Sequence, residues 1–525
     1  MASAESLTVM PDRVVDSFVP TATLPRFALG ACALIAVIYA GLHLLVLDQY
    51  GVFRDELYYI ACGRHLAWGY VDHPPFVAFL AWIGEHLFGP SYVWLRLFSV
   101  VFGCATIFTA AAIARRLGGH AWAQALAAIA ITISPHYLYT FHYFSMNSVD
   151  VLCWALAAWL VILALQTGAR GPWIAFGLVC GIGLLNKHSM LFLGLGLFVG
   201  LMLTSARRHL ATPWPWVAGL IAALMFLPHV LWQIAHGWPT AEFIRNAQAR
   251  KIVPIGPLTF IAEQFTLLHP MAALLAIAGI GYFFFARDAR PYRLFGWTFA
   301  TVLVLLLVQR SKPYYLLPVY PFLLAGGAIL LERATSRFRL LRPVIIVLVV
   351  LTGAATAPLA LPILPIERYV AYSRALGIVP TNAEKNALGE LPQHYADMFG
   401  WQDLANQVAA VYRTLPEPER KTAKIFVQNY GEAGAIDYFG PALGLPSALS
   451  QHNNYWYWGP GPDGGTLIAV GGAREDYLED FEQVEEVART SCRYCMPYEN
   501  DRPIFICRGW KRPVNVIWPH ERYFI

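Results

Sequence analysis

Long apolar stretches separated by short polar ones run from residue 27 to about residue 363. Runs at roughly 27–47, 92–114, 121–140, 149–166, 172–186, 189–204, 215–235, 267–286, 294–309, 314–332 and 343–363 give about eleven membrane-crossing helices by the length rule. The two runs on either side of Asn186-Lys187-His188 could be merged into one long helix, and arginine placement decides against that. With a cytoplasmic N-terminus, Arg115, Arg116, Arg170, Arg207, Arg208, Arg287, Arg290, Arg293, Arg333, Arg337, Arg339 and Arg342 all fall on the cytoplasmic side, as the bias of basic loops requires. Merging the pair would put the later clusters on the wrong face.

Between the first two runs the pattern shortens. Leu57, Ile60, Ala61 and Leu66 share one face of a short helix beginning after Asp55. Phe76, Phe79, Leu80, Ile83 and Leu87 share one face of another, with Pro75 suited to its first turn. Each is too short to span, so both are expected to lie along the membrane surface.

From about Glu367 charged residues, Pro and Gly rise and no run is long enough to cross. Leu404, Val408, Val411 and Tyr412 mark a helix. Lys424–Gln428, Thr466–Val470 and Ile504–Cys507 read as strands, with a turn and short helix from Gly431 to Phe439. The division expected is a cytoplasmic tail at 1–26, a transmembrane region at 27–363 with an outer-face loop at 48–91, and an extracytoplasmic α/β domain at 364–525. Residues 1–26 are polar and the first apolar run is long enough to stay as a helix, so no cleaved leader is expected.

Composition agrees with this picture. Of 525 residues, 57% are hydrophobic and only 14% charged, far from soluble averages. The formal charge of +5 matters less than where the arginines lie. Five of the eight cysteines lie in or beside apolar segments. Cys492, Cys495 and Cys507 cluster near the end, where a single disulfide with one thiol left over is the expectation if that part is extracytoplasmic; their pairing stays open.

The chemistry concentrates in the first outer loop. Asp55, Glu56, Asp72 and His73 stand at the ends of its two short helices, at a membrane edge with an apolar surround. A carboxylate there is a candidate general base, although Asp55 and Glu56 could also simply cap the helix. Asp150, after Asn147, opens a later helix and suits its macrodipole. Lys187-His188 interrupts an apolar stretch, which is costly unless the pair meets water or a partner. Ser311-Lys312-Pro313-Tyr314-Tyr315 puts a cation and two phenols where a helix enters the bilayer. Arg245 and Arg250 offer bidentate phosphate binding, and with Lys251 and Arg310 they are basic residues on the disfavoured side. Each alone could simply snorkel to the headgroups; as a set they suggest an anionic ligand.

These motifs, in this order, resemble the family 39 glycosyltransferases of the GT-C superfamily: protein O-mannosyltransferases, the aminoarabinose transferase of lipid A and bacterial relatives. Asp55-Glu56, His73-Pro74-Pro75, Arg96, Asp150, Lys187 and Lys312-Pro313-Tyr314-Tyr315-Leu316-Leu317-Pro318 carry the resemblance, over about residues 27–335. It implies a polytopic α-helical membrane enzyme with an extracytoplasmic C-terminal α/β domain, in the bacterial cytoplasmic (inner) membrane. The implied reaction is inverting transfer of a sugar from a polyprenyl-phosphate donor to an acceptor hydroxyl of lipid A, polysaccharide or protein. Asp55, Glu56 and Asp150 would form the catalytic set. Asp72, His73, Arg96, Lys187, His188, Arg245, Arg250, Lys312, Tyr314 and Tyr315 would bind substrate. No cofactor and no resident metal is implied, although outer-face carboxylates could hold a divalent cation; no feature suggests nucleic acid. The rival from another class is a transporter with a solute-binding tail, which would show paired interrupted helices in two corresponding halves; none stand out.

Overall fold

A computed structural model describes residues 24–380 and 384–525. The expected cytoplasmic tail lies outside the described residues up to residue 23. Every apolar run named above contains helix. Among the described residues, however, six helices are each long and apolar enough to cross a membrane alone: Tyr92–Arg116, Met146–Thr167, Trp214–Ala235, Arg290–Val308, Pro313–Ala334 and Leu341–Leu359. Two bent pairs raise the number to eight. Leu29–Leu45, Phe76–Phe88 and Ala121–Ile133 are shorter apolar helices. The run at 121–140 breaks into Ala121–Ile133 and Pro135–Thr140 because Pro135 cannot continue a helix,. The run at 267–286 starts at a bend of 115°, where His269 takes φ +60° before Pro270.

The helices pack where small residues let backbones approach. Pro270–Phe285 lies along Tyr320–Ala334. A Cβ on Gly279 would strike the carbonyl of Leu323, and one on Gly327 that of Leu275, so this contact is backbone on backbone. Tyr137, Phe141, Phe144 and Trp154 fill the centre of the bundle.

The loop between the first spans folds as its periodicity predicts, into the helices Arg54–Arg64 and Phe76–Phe88. Beyond the spans lies a five-stranded sheet: β1 Lys424–Val427, β2 Ala448–Leu449, β3 Leu467–Val470, β4 Phe481–Arg489 and β5 Pro503–Trp510. Its order is β2-β1-β3-β5-β4. β1 runs parallel to both β2 and β3, with Ile425 opposite Ala448 on one side and Ile468 on the other. β5 closes antiparallel on β3 and β4.

The C-terminal region does not keep its core to itself. Leu57, Tyr58, Ala61 and Cys62 from the loop pack in one cluster with Val408, Ile425, Ile436 and Ile468. The helix Tyr430–Leu443, which follows β1, lies directly on the loop helix Arg54–Arg64. Gly431 and Gly434 permit it, since Cβ atoms there would meet the Arg54 and Leu57 side chains. The carboxyl end of β1, the edge where open α/β sheets gather ligands, therefore abuts the Asp-Glu loop.

The expected disulfide is not formed. Cys492 and Cys495 are adjacent thiols, the Cys495 N–H donating to Cys492 Sγ at 3.2 Å, while Cys507 is buried in β5.

Candidate active site

Asp55 and Glu56 sit in the first turn of one helix and face opposite fates. Glu56 is fully buried. Its Oε1 accepts from Arg96 Nε (2.9 Å) and the Phe144 N–H (2.8 Å), its Oε2 from Arg96 Nη2 (2.7 Å) and the Phe53 N–H (2.8 Å). All of its acceptor capacity toward neighbours is engaged. Arg96, also fully buried, gives its remaining donors to the carbonyls of Leu47 and Gly51. Its guanidinium is enclosed and braces the loop. Glu56 likewise braces the loop, and it caps the helix as well.

Asp55 keeps 31% of its side chain exposed, with the Arg54 guanidinium 3.5 Å away. Its Oδ1 accepts a 2.9 Å hydrogen bond from Tyr430 Oη, which the first turn after β1 delivers. The N-cap there is Asn429, whose Oδ1 accepts from the Gly431 and Glu432 N–H groups,. Arg54 in turn donates to Tyr498 Oη at 2.8 Å and faces Asp397 at 3.6 Å. Burial lifts the Asp397 carboxyl, Arg54 opposes the lift, and Asp55 and Glu384 add to it, leaving it at about 7.

A cation pocket adjoins this acid. Lys312 Nζ donates to Glu384 Oε1 at 3.0 Å and Lys251 Nζ stands 3.9 Å from the same oxygen. Burial works against Glu384's charge, but Lys251, Lys312 and Arg54 outweigh it and hold the carboxyl below its ordinary range. At Lys312 the nearby carboxylate wins over burial and raises the ammonium; at the more distant Lys251 burial wins and lowers it.

Asp150 and Lys187 form a second pair. Lys187 Nζ lies 3.6 Å from Asp150 Oδ2, donates to Asn147 Oδ1 at 2.7 Å, and sits over the rings of Tyr315 (5.0 Å) and Tyr314 (5.8 Å). Asp150 also accepts from Ser189 Oγ at 2.6 Å. Asp150 is thus the counter-ion and anchor of Lys187. Tyr314 and Tyr315 flank the cation rather than merely belting the interface, and His136 stacks on Tyr314.

The acid-His-Pro-Pro stretch faces inward. His73 is wholly buried, stacked on Tyr70 and edge-on to Tyr59. Its Nδ1 lies 2.8 Å from the Pro74 carbonyl and donates to it. His73 packs the loop. Asp72 accepts from Tyr58 Oη at 3.0 Å, and burial pushes its carboxyl up despite His73 and Tyr58. His188 Nε2 meets His229 Nε2 at 3.2 Å, away from the Lys187 ammonium's partners. Arg245 is exposed and turned back onto the Ala241 carbonyl; Arg250 is exposed too. The structure brings neither into the Asp55 cluster.

Sequence reasoning gave no site role to Arg54, Glu384, Asp397 or Tyr498. Lys251 carried a signal, as a cation on the disfavoured side. The tail residues carried little, because only folding brings them to the loop. Among the described residues no group of three or more His, Cys, Asp or Glu side chains is arranged to hold a metal ion.

The fold is ArnT-like. The chain superposes on ArnT from Cupriavidus metallidurans bound to undecaprenyl phosphate with a TM-score of 0.61, at 16% identity, covering 91% of this chain and 98% of that one. The apo state of the same protein gives the same values. Residues 72–232 match the model of the dolichyl-phosphate-mannose-protein mannosyltransferase family. That match takes in His73, Arg96, Asp150 and Lys187 but neither Asp55 nor Lys312. The chain is also similar to the lipid A galacturonosyltransferase RgtD of Rhizobium johnstonii, 24% identical over 272 residues. The shared stretch covers 51% of this chain and 57% of that relative's length.

Proposed function

We propose that the chain is an inverting glycosyltransferase that moves a sugar from a polyprenyl-phosphate donor to an acceptor hydroxyl. The observation that carries this reading is the part-exposed Asp55 carboxylate 3.5 Å from Arg54, with Lys251 and Lys312 gathered on Glu384, on a fold shared with ArnT. In the proposed step Asp55 takes the proton of the acceptor hydroxyl as its oxygen attacks the anomeric carbon. The new C–O bond forms on the face opposite the donor oxygen, the bond from the anomeric carbon to that oxygen breaks, and polyprenyl phosphate leaves. A single displacement inverts the centre. Charge grows on the departing phosphate, and fixed cations are worth most where charge develops. Lys312 and Lys187, with Tyr314 and Tyr315 beside them, are assigned to that phosphate. Tyr430 and Arg54 orient Asp55, and Glu56 with Arg96 fixes the helix that carries it.

In this reading the protein lies in a bacterial inner membrane with its N-terminus cytoplasmic, and residues 27–363 carry the catalysis. Residues 364–525 then form a periplasmic domain that closes over Asp55. The acceptor is lipid A, a polysaccharide or a protein. The transporter reading gains nothing from the comparisons, which lead to glycosyltransferases.

The test is incubation of the purified protein with polyprenyl-phosphate sugars and envelope acceptors, followed by chromatography for released polyprenyl phosphate and by mass spectrometry of the acceptor. Sugar-dependent release with a glycosylated product is the expected result. Substrate flux in vesicles without any transfer would replace the proposal with transport.

A further inference from the structure

Residues 384 and 385 run antiparallel to residues 251 and 252. Ile252 and Glu384 form an isolated bridge, the Lys385 N–H donates to the Lys251 carbonyl at 2.8 Å, and Lys385 Nζ donates to the Ala249 carbonyl at 3.0 Å. This clasp delivers Glu384, only 5% exposed, into the pocket between Lys312 and Lys251, where Gln393 Nε2 donates to its second oxygen at 3.0 Å. One carboxylate oxygen faces both ammonium groups, as a phosphate oxygen would.

Charge gives the arrangement a consequence. Lys251 and Lys312 already meet Glu384, and Arg54 meets Asp55 and Asp397. A phosphate brought into that pocket beside Glu384 would set its charge against that carboxylate at low dielectric, where like charges repel strongly. With Glu384 withdrawn, the phosphate would take over the same partners.

We infer that Glu384 is a built-in stand-in for the donor phosphate, holding Lys251 and Lys312 together until a lipid-linked phosphate displaces it. This rests on the proposed glycosyltransferase function and adds Lys251 to the phosphate-binding set. Displacement makes the clasp a gate: apparent affinity for the phosphate falls by the fraction of time the pocket is taken.

The experiment uses the full-length protein in detergent and undecaprenyl phosphate as the probe. Glu384→Gln should bind it about tenfold more tightly than wild type. Hydrogen exchange of wild type should show the Lys385 amide losing protection when the probe binds, which needs no variant to fold. Equal or weaker binding by Glu384→Gln, or unchanged or greater protection at Lys385, overturns the gate while leaving the glycosyltransferase reading intact. A wild type that binds no undecaprenyl phosphate overturns that reading and the gate with it.

Discussion

Tyr430 donates its phenolic hydroxyl to Asp55 Oδ1 across 2.9 Å, joining two residues 375 positions apart in sequence. One is the proposed base in the first loop between spans, the other the first residue of the helix after β1. The C-terminal sheet is therefore part of the site. Tyr430→Phe keeps the ring against Tyr58 and Arg54 and removes only the hydrogen bond to a charged acceptor, worth about 1.5–3 kcal/mol. It should lower kcat by roughly ten- to a hundredfold with the thermal midpoint little changed. A variant with wild-type kcat would show that the tyrosine does not orient Asp55.

Glu56 and Arg96 are a buried pair, and breaking one partner strands the other. Glu56→Gln leaves the Arg96 guanidinium without its charge partner and should destabilise the folded protein by about 3–5 kcal/mol. Thermal unfolding in detergent measures this. A Glu56→Gln protein that melts like wild type yet transfers no sugar would instead put Glu56 in the chemistry.

Asp150 acts in this account only through Lys187. Lys187→Ala should raise the KM for the donor, and Asp150→Asn should raise it less. The double variant should be no worse than Lys187→Ala alone, since coupled residues are not additive. Full additivity in donor KM would mean that Asp150 contacts the substrate by a separate route.

Asp397 makes stability depend on pH. Its carboxyl stands at about 7 in the folded protein and near about 3.9 when unfolded. Between those values the folded state binds a proton that the unfolded state does not. This group's contribution to stability is therefore fully present below about pH 4, declines as pH rises toward 7 and levels off above it. Asp397→Asn removes that decline, so the fall in melting temperature from pH 5 to pH 7 should be shallower in the variant. Parallel curves would show that Asp397 titrates alike in both states.

Local pattern made the membrane region and the loop legible. Leu57, Ile60 and Ala61, and then Phe76 through Leu87, announced two short helices, and both are there. Asp55-Glu56, Asp150, Lys187 and Lys312 stood out because charge is rare at a membrane edge. Pattern could not tell Asp55 from Glu56, because only the fold decides that Arg96 takes one and Tyr430 the other. Nor could it pair Lys312 with Glu384, 72 positions on. β4 escaped because it is a charged edge strand, Phe481–Arg489, buried mainly at Phe481 and Val484. Charged edges protect sheets from unwanted pairing, and they erase the alternation by which strands are read.

The central claim is that Asp55 is the base for sugar transfer. The direct measurement compares wild type with Asp55→Asn for transfer from a polyprenyl-phosphate sugar, with undecaprenyl-phosphate binding followed in the same preparations. Asn keeps the shape and can still meet Tyr430, so the account predicts retained binding and a loss of roughly 10²–10⁴-fold in kcat. An Asp55→Asn protein that transfers sugar at the wild-type rate would contradict it.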